Sequence, residues 1–202
     1  MAMDDPRPHL YKSDNGSKVN AQNTMTTTPP DQLPDALRAL MDKSAVALSV
    51  ADGEAEDLPL IGVNRAFEDL SGYSEEEVLG RNCRFLQPEG GAGPVRERMR
   101  AFLADETEPA AKFVIPNVRK SGEPFLNLVY MARLKAQGGT RYILGSQFDA
   151  TRGRPDGLKI YEEALREDIR RLNRLTNDSS AALLGSYDAL ASSQALIAQA
   201  RL

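Results

Sequence analysis

The order of segments along this chain predicts an α+β domain: a five-stranded antiparallel sheet with short helices on one face, extended by helices at both ends. Two β-type segments come first, several short helical segments follow, and three consecutive β-type segments close the domain. The last three are joined by KSGE and QGGT, connections that suit tight hairpins between antiparallel neighbours.

Both ends of the chain differ from its centre. Residues 1–30 are rich in Asp, Asn, Ser, Thr and Pro, which predicts a flexible arm. Residues 31–43 predict a short amphipathic cap helix. Residues 151–202 predict a helical extension for dimerisation or signalling. Its first helix carries an apolar stripe from Leu158 to Leu175, and its last segment, AALLGSYDALASSQALIAQARL, is predicted to be helical with small side chains that allow close packing.

The α+β domain is predicted to span residues 44–150. AVALSVAD and LPLIGVN are typical of strands joined by the acidic turn DGEAED. Short helical pieces follow, in which Ser74 ahead of Glu77 matches a capping box. After GRNCRFLQ and the Gly-rich loop PEGGAG comes the helix PVRERMRAFLADE, with Pro94 at its first turn. AAKFVIPNVR, FLNLVYMARLKA and RYILGSQFDA predict the three closing strands.

Composition and charge narrow the possible functions. A net charge of −4 with 41% hydrophobic residues gives a globular composition without the basic footprint of a nucleic-acid-binding protein. No apolar run reaches the length of a bilayer span, and the amino terminus lacks a signal-peptide core. We therefore expect a cytoplasmic protein without a nucleic-acid or membrane partner. The single cysteine and the single histidine, His9, favour neither a metal site nor histidine-dependent catalysis.

The single cysteine, Cys83, lies in the segment GRNCRFLQ. If this segment forms a helical turn, Cys83 and Gln87 share a face and Arg84 points toward an anion or solvent. Arg96 and Arg100 lie four residues apart on the following helix. Guanidinium groups pair well with phosphate oxygens, so these arginines are candidates to hold a phosphate.

Three amide side chains are spaced to meet on one face of the sheet. Asn117 and Asn127 are equidistant from Gly122, so we expect them to face each other across a hairpin. The next hairpin sets Gln147 opposite or diagonal to Asn127, on the same face. Such a row of donors and acceptors suits the edge of a planar heterocycle. Apolar neighbours expected to wall this site are Val129 and Leu144.

Together these residues resemble the light–oxygen–voltage (LOV) photoreceptor domains, a flavin-binding branch of the PAS fold. The family's NCRFLQ motif is present in full at residues 82–87. Asn117, Asn127 and Gln147 fall where the family's flavin-reading amides fall. The KSGE hairpin and GSQFDAT also match, so the resemblance covers about residues 44–150. The helical tail is similar to that of short bacterial LOV proteins, which have no separate effector domain.

The resemblance implies a blue-light sensor that binds FMN and has no enzymatic output of its own. Light would drive a reversible bond between Cys83 and flavin carbon C4a while nitrogen N5 gains a proton, so no base is needed to activate the thiol. Gln147 would lie near N5, where an amide can rotate as N5 changes from acceptor to donor. The signal would leave through the helices of a homodimer, by changing dimerisation or partner binding.

The resemblance also implies roles for the remaining site residues. Arg84 would contact the FMN phosphate, with Arg100 the better match for the family's second arginine and Arg96 its alternative. Asn82 and Gln87 would bind the ribityl chain and the ring edge. The two strand asparagines would read the pyrimidine edge.

Two departures and two alternatives accompany this interpretation. Many LOV domains carry an asparagine on the first strand, where this chain offers Val46 or Ala47. The loop PEGGAGP is short and leaves little room for adenine, which favours FMN over FAD. The alternatives are a sensor fragment of a light-regulated histidine kinase, and a PAS module that binds another ligand or acts as a redox flavoprotein. A tail without histidine disfavours a complete kinase.

Overall fold

The computed structural model of the protein describes residues 33–136, 139–151, 155–177 and 182–183. The arm predicted for residues 1–30 therefore lies outside the described residues. The helices are α1 (Asp35–Met41), α2 (Arg65–Ser71), α3 (Glu75–Val78), a 3₁₀ helix (Cys83–Leu86), α4 (Val95–Ala104) and α5 (Pro155–Asn177). The strands are β1 (Ala47–Asp52), β2 (Leu60–Val63), β3 (Ala110–Val118), β4 (Pro124–Ala136), β5 (Gly139–Asp149) and β6 (Ala182–Leu183).

Five strands form an antiparallel sheet in the order β2-β1-β5-β4-β3, which confirms the predicted fold class. The short β6 corrects one prediction. The segment expected to be a continuous last helix contains Ala182 and Leu183, which pair with Lys135 and Leu134 of β4. Because β3 begins opposite Ala132, the end of β4 has a free edge that a two-residue strand can satisfy. The rest of that predicted helix lies outside the described residues.

Helices cover the two faces of the sheet differently. One face packs against α1 and α5, and their shared core includes Leu48, Leu128 and Leu144. The opposite face, which carries Ile143 and Val129, lies under α2, α3, the 3₁₀ helix and α4. The apolar stripe predicted for α5 is buried against the sheet at Leu158, Tyr161, Leu165, Ile169 and Leu172. The side chain of Leu175 lies outside the described residues.

Local signals in the sequence explain how the helices over the second face begin. Asn64 caps α2 by accepting a hydrogen bond from the Phe67 amide at 3.1 Å. The same buried side chain accepts from the Leu48 amide and donates to the carbonyls of Met41 and Val46, which ties α2 to β1 and α1. The capping box predicted at the start of α3 is present. Among the helices that the structure describes, none is both long and apolar enough to cross a membrane.

Candidate functional site

A cavity lies between the sheet and the short helices above its second face. It contains about 680 Å³ of empty space, including the space at its open mouth. The sheet supplies one wall, and the 3₁₀ helix and α4 supply the other. Predominantly apolar walls with a few convergent polar groups are typical of a small-molecule site. Its apolar walls include Leu60, Ile115, Val129, Met131 and Ile143.

The cysteine lies in this cavity at the start of the 3₁₀ helix. Asn82 caps that helix, since its side-chain oxygen accepts from the Arg84 amide at 2.9 Å. The helix ends at Leu86 and Gln87 follows in extended conformation, yet Cys83 and Gln87 both line the cavity. Burial raises the pKa of the Cys83 thiol to about 12. The sulfur is therefore a neutral thiol at physiological pH rather than a thiolate nucleophile.

The three predicted amides meet in the cavity, and all are buried. Asn127 donates from Nδ2 to Oδ1 of Asn117 at 2.7 Å. Gln147 donates from Nε2 to Oγ of Ser49 at 3.0 Å. Oδ1 of Asn127 and Oε1 of Gln147 are buried without a hydrogen-bond partner in the described part of the chain. Buried acceptors left unpaired in this way destabilise the folded protein unless a ligand supplies hydrogen-bond donors.

The register of the first hairpin differs from the prediction by two residues. Asn117 pairs with Phe125, and Asn127 pairs with Ile115, so the two asparagines are diagonal neighbours rather than direct partners. The hairpin is symmetric about Ser121 instead of Gly122. A shift of two preserves the face, which is why the amides still meet. Gln147 lies opposite Val129 and thus diagonal to Asn127, one of the two predicted arrangements.

Leu144 does not wall the cavity, so that prediction is wrong. Side chains alternate between the faces of a strand, and Leu144 is an odd number of residues from Gln147. It therefore points to the opposite face, where it belongs to the core shared with α1 and α5. Its neighbours Ile143 and Gly145 line the cavity instead. Val129 lines it as predicted.

The predicted phosphate-binding arginines occupy different places. Arg84 lines the cavity at its exposed side and forms an ion pair with Asp57. Arg96 and Arg100 are exposed on α4 and are not part of the cavity wall. The α4 residues that do line it are apolar, Met99 and Leu103. The structure thus brings only Arg84 of the three arginines to the cavity.

Sequence reasoning missed two polar residues of the site. Ser49 bonds Gln147, and it shares a face with Ala47, which was one of the two positions, with Val46, compared with the asparagine of other LOV domains. Strand alternation alone could have identified Ser49. Asp57 pairs with Arg84, and its carbonyl accepts from the Asn82 side chain. The acidic turn predicted between the first two strands contained no signal for these contacts.

Comparison with known proteins agrees with the fold. Residues 46–152 match the PAS domain family. The blue-light-activated histidine kinase of Rhizobium johnstonii is 31% identical over 164 residues, which cover 80% of this chain and 46% of that protein. A structure of the protein RsLOV, in a variant form, is 32% identical with a TM-score of 0.66, covering 82% of this chain and 94% of the other. The LOV protein of Rhodobacter sphaeroides is 29% identical with the same TM-score, covering 82% of this chain and 93% of the other.

The sheet, its helical cover and these matches define a sensory domain of the PAS superfamily. Within that superfamily, the chain belongs to the LOV family of blue-light receptors. It spans less than half the length of the Rhizobium johnstonii kinase.

Membership in the LOV family implies a flavin chromophore, and the cavity fits one. Flavin rings present both N–H and carbonyl groups along one edge, which suits the unpaired oxygen of Asn127 beside the Asn117 amide. The Cys83 thiol shares the cavity with Gln147. Arg84 at the exposed side provides a cation for a charged tail.

Proposed function

We propose that this chain is a blue-light sensor that binds FMN and uses Cys83 as its photoreactive group. The observation that carries the proposal is a neutral, half-buried thiol in one cavity with Asn127 and Gln147, whose side-chain oxygens have no hydrogen-bond partner among the described residues. A bound flavin would supply the driving force by absorbing light, so the thiol would need no base. Cys83 would supply both the sulfur that adds to the flavin at C4a and, as its S–H bond breaks, the proton that N5 gains. Return to the dark state would give both back to Cys83.

The chain's polar groups would orient the ring for this reaction. Asn117 and Asn127 would bind the pyrimidine edge, where Oδ1 of Asn127 gains the donor it lacks. Gln147 would lie beside N5. Asn82 and Gln87 would bind the ribityl chain and the ring edge, a role supported by their place beside Cys83 in the cavity wall.

A phosphorylated flavin such as FMN would be favoured over riboflavin by the positive charge of Arg84 at the cavity's exposed side. A phosphate would compete with the Asp57 carboxylate for Arg84. Arg96 and Arg100 have exposed side chains on α4 and would be further candidates to bind the same phosphate. The short loop of residues 88–94 would leave little room for an adenine as well, which favours FMN over FAD.

The output would pass from β5 to α5. Gln147 faces the cavity while its neighbour Ser146 faces the other side, where its hydroxyl lies 2.6 Å from that of Tyr161 on α5. Movement of β5 would therefore be transmitted directly to α5 through this hydrogen bond. We propose that residues 31–43 and 151–202 act as helical extensions of a domain at residues 44–150, and that they carry a homodimer contact.

A second candidate is the sensor part of a larger light-regulated kinase. It is favoured by the similarity to the Rhizobium johnstonii kinase, of which the chain spans 46%. The two candidates share the same photochemistry and differ only in output.

An absorption spectrum and chromatography of the extracted chromophore test the proposal. The purified protein should be yellow, release FMN on denaturation, bleach under blue light and recover in the dark. A colourless protein that cannot be reconstituted with FMN would refute it. Release of FAD alone would refute the proposal that the bound flavin is FMN.

A further inference from the structure

The hydroxyl of Ser49 and the amide of Gln147 meet above a glycine. Ser49 lies opposite Gly145 in the β1–β5 ladder, and Gln147 is its diagonal neighbour. A methyl group on Gly145 would lie 2.8 Å from Oγ of Ser49 and 3.0 Å from Nε2 of Gln147. The missing side chain thus leaves the space in which the two polar groups bond at 3.0 Å.

The hydrogen bonds of this amide are only half satisfied. Nε2 of Gln147 is used by Ser49, whereas Oε1 is buried without a partner in the described residues. In this orientation Oε1 can accept a hydrogen bond from a donor in the cavity, while Nε2 is directed to Ser49. A flavin whose N5 carries a proton needs such an acceptor, because its N5–H group donates a hydrogen bond. Rotation of the amide by 180° would direct Nε2 to an unprotonated N5 and Oε1 to Ser49.

A hydroxyl can pair with the amide in both orientations. It offers one donor and two acceptor lone pairs, so it accepts from Nε2 or donates to Oε1 by turning about its own bond. The other positions of β1 on this face, Ala47 and Ala51, have no polar group. Ser49 therefore supplies the hydrogen-bond partner that the rotating Gln147 amide needs on the side away from the flavin.

We infer that Ser49 is a positioning residue for the light reaction: its hydroxyl keeps Gln147 paired before and after N5 is protonated and so permits the amide to rotate. The inference rests on the proposed function, because it assumes that N5 gains a proton when Cys83 reacts. It adds to that function a residue that sets how long the lit state lasts and how strongly β5 responds.

The variant Ser49→Ala tests this inference. An unpaired buried N–H is tolerated less well than an unpaired carbonyl oxygen. Loss of the hydroxyl should therefore penalise the lit orientation, in which Nε2 faces residue 49, more than the dark one. We expect Ser49→Ala to bind flavin and bleach, but to recover in the dark about 2- to 10-fold faster, the factor that one neutral hydrogen bond is worth.

An infrared difference spectrum separates this role from a general packing effect. The reference is Gln147→Leu, which identifies the light-induced side-chain amide band by removing it. In the parent that band should shift between dark and light, and in Ser49→Ala its shift should be smaller. Ser49→Thr, which restores a hydroxyl, should recover both the parent band and the parent lifetime.

A matched control removes a buried serine hydroxyl elsewhere. Ser71 is buried on α2, and its Oγ accepts from the Tyr73 amide away from the cavity. Ser71→Ala should recover at the parent rate. Parent-like recovery and amide band in Ser49→Ala would overturn the inference, as would Ser49→Thr behaving like Ser49→Ala. If the parent itself failed to bleach, the proposed function would fall instead.

Discussion

At the scale of single residues, the environment of Cys83 decides which chemistry its sulfur can perform. Ordinary cysteine nucleophiles react as thiolates, which a nearby base or cation stabilises. Burial here acts in the opposite direction and raises the thiol pKa to about 12. A protonated thiol is the state from which both the sulfur and the proton can be delivered to a flavin.

This pKa makes a prediction about pH. Because the thiol pKa lies near 12, Cys83 stays protonated throughout the range from about pH 6 to pH 9. The quantum yield of bleaching should therefore be flat across that range, measured by absorbance under constant illumination. A yield that rises with a midpoint near the ordinary cysteine pKa of about 8.5 would show that a thiolate reacts.

The positions of the residues near the cysteine were predictable because a contiguous motif keeps them close together along the chain. Asn82, Cys83, Arg84 and Gln87 all line the cavity. Residues on strands were harder, since their position depends on hairpin register. The loop KSGE allows a turn about Ser121 as well as Gly122, and the sequence does not distinguish them. Arg96 and Arg100 were harder still, because nothing in the sequence of a helix shows whether its exposed arginines bind a ligand or only contact solvent.

At the scale of secondary-structure elements, β5 connects the two faces of the sheet. Gln147 faces the cavity and Ser146 faces α5, so one strand contacts both the candidate flavin site and the helical extension. Burial raises the pKa of the Tyr161 phenol, which therefore stays neutral and able to donate. The bond between Ser146 and Tyr161 is a direct link from β5 to α5.

Tyr161→Phe should weaken this link. It removes one buried hydrogen bond, worth about 0.5–1.5 kcal/mol of unfolding free energy, and should speed amide hydrogen exchange in α5 in the dark. A double-mutant cycle with Ser146→Ala isolates the pair, because each single variant removes the same bond. Fully additive losses of unfolding free energy would show that the two hydroxyls do not interact.

Periodicity predicted the elements more reliably than their ends. The apolar stripe of α5 was correct because a spacing of three and four residues fits a helix on one buried face. The short β6 was not predictable, since two residues show no period and their pairing depends on the free edge of β4. The Leu144 error came from ignoring strand alternation, which the sequence did contain.

At the scale of the whole molecule, the proposed homodimer would depend on apolar side chains at the surface. Two large apolar side chains are exposed among the described residues, Leu79 and Ile160. Ile160 is 67% exposed on α5, beside a groove between α5 and the start of β1. Ile160 is therefore the residue to test for the homodimer contact proposed through α5.

Ile160→Gln should weaken that dimer if α5 forms it. The expected result is a lower dimer fraction by size-exclusion chromatography with light scattering, compared in the dark and under blue light. Lys159→Gln is the matched control, because it changes an exposed neighbour to the same residue. Equal dimer fractions in both variants and the parent would place the contact elsewhere or show a monomer.

The most direct test of the central claim compares the parent with Cys83→Ala under blue light. The claim is that the lone cysteine is the photoreactive group of a flavin-binding sensor. Both proteins should carry the flavin, because the amides and Arg84 remain. Only the parent should lose its blue absorption band in light and regain it in the dark. A Cys83→Ala protein that bleaches and recovers like the parent would contradict the account.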